Sequence, residues 1–254
     1  VIVPTQPEKS FLLSLDDLEP ALTSRTRALI LNTPSNPTGC HYTQEGLDQV
    51  VEWAISRGLV VVSDEIYDQF VYSPAQPATA VHWLEKAPEQ VAVVNGLSKC
   101  FALTGWRIGY VLADKVLVAS LSKIQGQSTS NICSIAQKAA LAALNGPWDF
   151  LEEKRRIFAA RRDKAMDIIS TWPNVHCPKP EGAFYLFPRV DSTYTQDIPD
   201  STGLCAHFLD QAEVAMVPGK AFGDDRCIRL SYATDEATLM AALERIGRSL
   251  QAMR

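Results

Sequence analysis

Three short apolar runs, each closed by polar residues, constrain the fold of this chain more than any other feature. They lie at 27–32 (RALILN), 59–63 (LVVVS) and 91–95 (VAVVN). A strand with one wet face alternates apolar and polar residues, whereas a strand buried on both faces reads as a continuous run of Val, Ile and Leu. Between the first two runs the period becomes helical, with Leu47, Val50, Val51, Ala54 and Ile55 on one face. Thr43 is placed to cap that helix, Glu45 lies in its first turn and Gly58 stops it. Buried strands separated by helices predict an α/β fold: a mainly parallel sheet sandwiched by helices. A further strand at 107–113 precedes helical patterns at 114–126 and 132–145.

The pattern shifts after Asn145-Gly146-Pro147. A charged stretch at 148–171 places Leu151, Ile157, Phe158, Ala165, Ile168 and Ile169 on one helical face, with the charges solvated. Trp172-Pro173-Asn174 ends it. Strands at 183–187, 214–217 and 227–232 then alternate with helices near 201–211 and 236–252. The chain thus divides into a large domain at 1–146, a connecting helix at 147–171 and a smaller C-terminal α/β domain at 172–254. A length of 254 residues allows a sizeable core without disulfides or metals.

Charge and cysteine usage exclude several functions. The net charge is −5, and Glu and Asp interleave with Arg155, Arg156, Arg161 and Arg162, which argues against nucleic-acid binding. No apolar run reaches the roughly 18 residues of a membrane helix. The six cysteines (40, 100, 133, 177, 205, 227) contain no CxxC pair, and the four histidines (41, 82, 176, 207) no HExxH. The expectation is buried or half-buried free thiols in a cytoplasmic protein with no metal site.

Ligands of open parallel sheets bind beyond the carboxyl ends of the strands. Here those ends read Thr33-Pro34-Ser35-Asn36-Pro37-Thr38-Gly39, Asp64-Glu65-Ile66-Tyr67 and Gly96-Leu97-Ser98-Lys99. Singly these are turns, a cap and a solvated lysine; at one sheet edge they point to a shared site. Lys99 precedes Cys100, Phe101, Ala102 and Leu103, an apolar setting that desolvates an amine, and a neutral amine can form a Schiff base with a carbonyl. Arg107 follows eight residues later, and its planar fork suits a phosphate.

The stretch GLSKCFALTGWRIG at 96–109 resembles the pyridoxal-phosphate lysine signature of class I, fold-type I aminotransferases. SNPTG (35–39), DEIY (64–67), PEGAFYLFP (180–188), VPGKAFG (217–223) and IRLSYA (228–233) resemble that family's other landmarks, in the same order. The similarity spans essentially the whole chain and is greatest to the bacterial aspartate aminotransferase branch. It implies pyridoxal 5′-phosphate as cofactor, a homodimer, and a ping-pong cycle between an amino acid and a 2-oxo acid, aspartate and 2-oxoglutarate being favoured. By that resemblance Lys99 forms the Schiff base and carries the Cα proton. Asp64 pairs with the pyridinium nitrogen, Tyr67 and Asn36 hydrogen-bond the ring oxygen, and Arg107 holds the phosphate. Arg229 clamps the substrate carboxylate beside Asn36, and Asn36-Pro37 is a candidate cis peptide.

Some positions stay open. Ser98 either helps at the phosphate or caps; some family members place a phosphate-binding Ser three residues before the lysine, where this chain has Gly96. Tyr185 lines the substrate pocket or packs. In one branch a neighbouring subunit supplies an arginine for the distal carboxylate from the loop that here reads Gly126-Gln127-Ser128-Thr129-Ser130-Asn131, which has no basic residue. The rivals are an aromatic, prephenate or alanine aminotransferase, a carbon–sulfur β-lyase of the same fold, and a non-catalytic cofactor-sensing domain of a transcription regulator. The sequence opens Val-Ile-Val-Pro-Thr. Against the family it begins partway through an incomplete large domain, so the expectation is weak cofactor binding and little transamination by this chain alone.

Overall fold

The apolar runs become neighbouring strands β1 (Ala28–Asn32), β2 (Val60–Asp64) and β3 (Val91–Gly96), with β4 (Gly109–Leu112) beside β3. The first three are parallel, with Ala28 opposite Val60 and Asp64 opposite Val94. β4 runs antiparallel, pairing Gly109 with Gly96. These come from a computed structural model that describes residues 1–253 and divides into two compact units. The sheet belongs to the unit formed by Ser14–Pro34 and His41–Glu153; the other comprises Val1–Leu13, Ser35–Cys40 and the chain from Lys154 onward. These units cut across the segments expected from sequence, since the boundary at Glu153 falls inside the connecting helix and Ser35–Cys40 group with the C-terminal residues.

In the sheet unit, α1 (Leu15–Leu18) is capped by Ser14 and Asp17. The crossover from β1 to β2 is α2 (Gln44–Ser56), whose Thr43 cap accepts the Gly46 N–H. It buries Leu47, Val50, Val51, Trp53 and Ala54, at about 1.5–3 kcal/mol for each large aliphatic side chain. Gly58, at φ +69°, takes the left-handed conformation that ends it. After α3 (Trp83–Lys86), α4 (Lys115–Ser128) and α5 (Ser134–Asn145) complete this unit.

The expected cover on both sheet faces holds at the centre and fails at the margins. Val91, Ala92 and Val93 of β3 are buried, but Ile30 of β1 is 74% exposed and Tyr110 and Leu112 of β4 are exposed. Val116 and Ile124 of α4 and Ile135 and Leu141 of α5 also face solvent. Helical period marks which residues share a face, not whether that face meets a neighbour.

The long helix α6 (Phe150–Ile169) matches the charged stretch. One expectation on it is corrected: Arg162 is buried, because its Nη1 donates to the Pro180 carbonyl at 2.9 Å and its Nε to Asp163. In the second unit β5 (Tyr185–Leu186), β6 (Val217–Pro218) and β7 (Ile228–Ser231) form an antiparallel sheet in the order β5-β7-β6. The strands differ from expectation: Ala183 has φ +53° and the first strand starts only at Tyr185, while β6 pairs with β7 only at Val217 and Pro218 before a 3-10 turn at Gly219–Phe222. Helices α7 (Ser201–Ala212) and α8 (Glu236–Ala252), capped by Asp200 and Asp235, supply buried Leu204, Phe208, Leu243 and Ile246.

All six cysteines are free thiols, but Cys133 is exposed rather than buried. Among the described residues, no helix is long and apolar enough to cross a membrane.

Candidate active site

Asp64 is the last residue of β2. Its backbone carbonyl accepts the Asn32 side-chain amide and the Thr33 N–H, each at 3.1 Å, which ties the end of β2 to the end of β1. The Asp64 carboxylate accepts the Ile66 N–H at 3.2 Å. Burial pushes this carboxyl above its ordinary range, with that N–H opposing the shift. The turn itself is anchored by its neighbour. The buried Glu65 carboxylate accepts Ser63 Oγ at 2.8 Å, Thr79 Oγ1 at 2.7 Å and the Ala80 N–H at 2.8 Å. That brace was invisible in the sequence, where Glu65 looked like any turn carboxylate.

Tyr67, on the same turn, is buried, and Lys99 Nζ stands 5.6 Å from its ring centroid. Lys99 lies three residues beyond β3 and is half-buried, not enclosed as its apolar neighbours had suggested. Leu97 and Cys100 on either side pack with Ile108, Ala136, Ala140 and Leu151, so the lysine loop is fastened to α5 and the start of α6. Burial, with Asp68's charge adding to it, pushes the Cys100 thiol to about 11. That suits a packing residue rather than a nucleophile.

Ser98 and Arg107 are linked through Thr104. Thr104 Oγ1 donates to the Ser98 carbonyl at 3.0 Å, and Arg107 Nη1 donates to the Thr104 carbonyl at 3.2 Å. Arg107 sits at φ +55° with an exposed side chain. Gly96 has a packing cause: a Cβ there would lie 2.9 Å from the Ile108 carbonyl and 3.1 Å from Gly109 Cα, so β4 leaves no room for a serine.

The second unit carries the other candidates. Arg229, in β7, donates from Nη1 to Asn36 Oδ1 at 2.9 Å. Its guanidinium carbon lies 4.7 Å from the Tyr185 ring centroid and 5.0 Å from that of Phe222. Its Nε is buried and, among the described residues, has no hydrogen-bond partner. The Asn36-Pro37 peptide is cis. Gly39 locks this turn: at φ +67° its carbonyl accepts the Glu181 and Gly182 N–H groups, and a Cβ would meet Pro180 Cβ at 2.4 Å. The SNPTG and PEGAFYLFP landmarks are therefore one packed unit.

Asp64, Tyr67, Ser98, Lys99 and Arg107 thus share one unit, and Asn36 and Arg229 are bonded in the other. Phe222 went unnoticed in the sequence although it sits in VPGKAFG; an aromatic in a turn has no period to mark it. An amine, a carboxylate, a buried phenol and a guanidinium are groups that suit, in turn, an aldehyde as nucleophile, a protonated ring nitrogen as acceptor, a ring oxygen as donor and a phosphate as cationic donor. A carboxylate raised by desolvation favours a cationic partner.

The chain belongs to the class I and II aminotransferases, whose family model matches residues 1–246. It is 40% identical to a probable aspartate/prephenate aminotransferase of Aquifex aeolicus, over 99% of this chain and 64% of that one. It is 38% identical to the aspartate aminotransferase of Bacillus subtilis, over 96% of this chain and 62% of that one. The crystal structure of the aspartate aminotransferase of Rhizobium meliloti superposes with a TM-score of 0.92 at 36% identity, covering 99% of this chain and 64% of that one. The chain spans somewhat less than two thirds of the length of these relatives.

Proposed function

We propose that this chain carries the lysine and carboxylate-binding parts of a pyridoxal 5′-phosphate-dependent aminotransferase. The activity these parts serve moves an amino group between aspartate and 2-oxoglutarate in a ping-pong cycle. The observation that carries this reading is the placement, within one unit, of Lys99 just beyond β3 and Asp64 at the end of β2. When bound, the cofactor supplies an electron-accepting ring that allows a Cα–H bond to break. Lys99 Nζ holds the cofactor and moves the proton at Cα. Asp64 keeps a proton on the ring nitrogen, and Tyr67 and Asn36 hydrogen-bond the ring oxygen. Arg107, with Ser98 beside it, takes the phosphate. Arg229 binds the α-carboxylate and orients Cα–H.

Aspartate is favoured by the names of the Aquifex and Bacillus relatives, and by a Thermus thermophilus aspartate aminotransferase structure with maleate, a dicarboxylate (TM-score 0.89, 36% identity, 98% of this chain, 63% of that one). The Aquifex name keeps prephenate as the second reading. Six free thiols fit a reducing cytoplasm. Exposed Val116, Ile124 and Ile135 offer apolar surface to a second copy, in keeping with a homodimer.

The test adds amino acids to the chain under excess pyridoxal phosphate while the near-visible band is followed. Excess cofactor offsets the weak binding expected of this chain, and aspartate changes the band slowly, yielding its oxo acid ahead of alanine or phenylalanine. Pyruvate release without an oxo-acid acceptor would instead indicate the β-lyase. A band identical in Lys99→Ala and unmoved by any amino acid would overturn the reading.

A further inference from the structure

We propose that Phe222 and Tyr185 are positioning residues for Arg229: their rings hold the guanidinium in one orientation, and thereby set how tightly a substrate carboxylate binds. This rests on the reading of Arg229 as the carboxylate site.

Arg229 is held at several atoms. Asn36 Oδ1 takes Nη1 at 2.9 Å, and the guanidinium carbon lies 4.7 Å and 5.0 Å from the Tyr185 and Phe222 centroids. Nε is buried without a partner among the described residues. A single hydrogen bond leaves a guanidinium free to swing about it. Ring faces within cation–π distance restrict that swing, because attraction is greatest when the cation lies over the ring.

The rings are themselves fixed from behind. Phe222 meets Phe187 edge-on, with centroids 6.1 Å apart at 88°, and Phe187 packs with Phe11 and Cys227. Tyr185 is buried and tilts against Phe184 at 4.9 Å. The turn carrying Phe222 starts at Gly219, where a Cβ would come within 2.2 Å of both the Asp224 and Cys227 carbonyls, and closes at Gly223, at φ +86°. Phe222 therefore has a set place. A planar cation so held pays less ordering entropy on meeting a carboxylate than a free arginine does.

Two readouts on the intact chain separate the proposal from the functional reading beneath it. The first is the ¹⁵N NMR order of the Arg229 Nε–H bond without ligand; the second is the maleate dissociation constant followed at the same resonance. Phe222→Leu is expected to lower the Nε–H order and weaken maleate about tenfold, whereas Phe222→Tyr retains both. Tyr185→Leu gives an independent arm, and circular dichroism selects folded variants. Unchanged Nε–H order in folded Phe222→Leu and Tyr185→Leu overturns the positioning role. An ordered wild-type Arg229 whose resonance ignores maleate overturns the carboxylate-site reading, and the positioning proposal with it.

Discussion

Arg229 Nη1 donates to Asn36 Oδ1 at 2.9 Å across 193 residues of sequence. The bond joins the SNPTG turn to a strand of the C-terminal sheet, two landmarks that look unrelated on the page. Asn36→Ala removes the acceptor and leaves a half-buried guanidinium short of one partner. The expected result is a loss of about 1–2 kcal/mol in urea unfolding and weaker carboxylate binding. Asn36→Asp keeps an acceptor and is expected to keep most of the stability.

Gly39→Ala tests the packing beneath that turn. The substitution combines a left-handed φ of +67° with a Cβ 2.4 Å from Pro180 Cβ and 2.9 Å from the Gly182 carbonyl. The backbone penalty alone is about 1–2 kcal/mol, and the overlap adds about 1–3 kcal/mol. A drop in the urea midpoint of that order is expected. Gly105→Ala, where a Cβ has open space, serves as the control.

Asp64 makes a pH signature. Burial raises its carboxyl above the ordinary value. Between those two values the folded chain holds a proton that the unfolded chain has released, so this group's stabilising contribution is lost as pH rises through the window. Asp163, Asp191 and Asp224 are shifted downward and act in the opposite sense, so only the difference between wild type and Asp64→Asn isolates Asp64. In urea titrations from about pH 3.5 to pH 7, wild type should lose stability relative to Asp64→Asn. A relative gain would mean that the carboxylate is stabilised as an anion in the folded chain.

The thiols should react unequally. Cys133 is exposed, while burial pushes Cys100 and Cys205 to about 11 and Cys177 to about 12. Thiolate is the reactive form, so Ellman's reagent at neutral pH should label Cys133 first and reach Cys100 only on unfolding. Early labelling of Cys100 in the native chain would show that the lysine loop opens.

The strands were legible because burial on both faces leaves a continuous apolar run, and α2 because its cap, face and stop agree. The antiparallel direction of β4 was not, since a four-residue strand after a twelve-residue loop carries no mark of direction. Nor was the grouping of Ser35–Cys40 with the C-terminal unit. It depends on Gly39 accepting from Glu181 and Gly182, more than 140 residues away. Lys99 and Asp64 stood out because polar residues at the ends of apolar strands are conspicuous. Glu65 and Phe222 did not, because their meaning lies in Thr79, Ala80 and Arg229, partners distant in sequence.

Chemical trapping shows whether Lys99 is the cofactor lysine. The chain is incubated with pyridoxal phosphate, reduced with borohydride and digested, and the labelled lysines are located by mass spectrometry. Labelling concentrated on Lys99, and brought down to the level of the other lysines by prior denaturation or by Asp64→Ala, is the predicted result. Labelling spread evenly over the exposed lysines, with Lys99 no more modified than Lys164 or Lys220, would contradict the account.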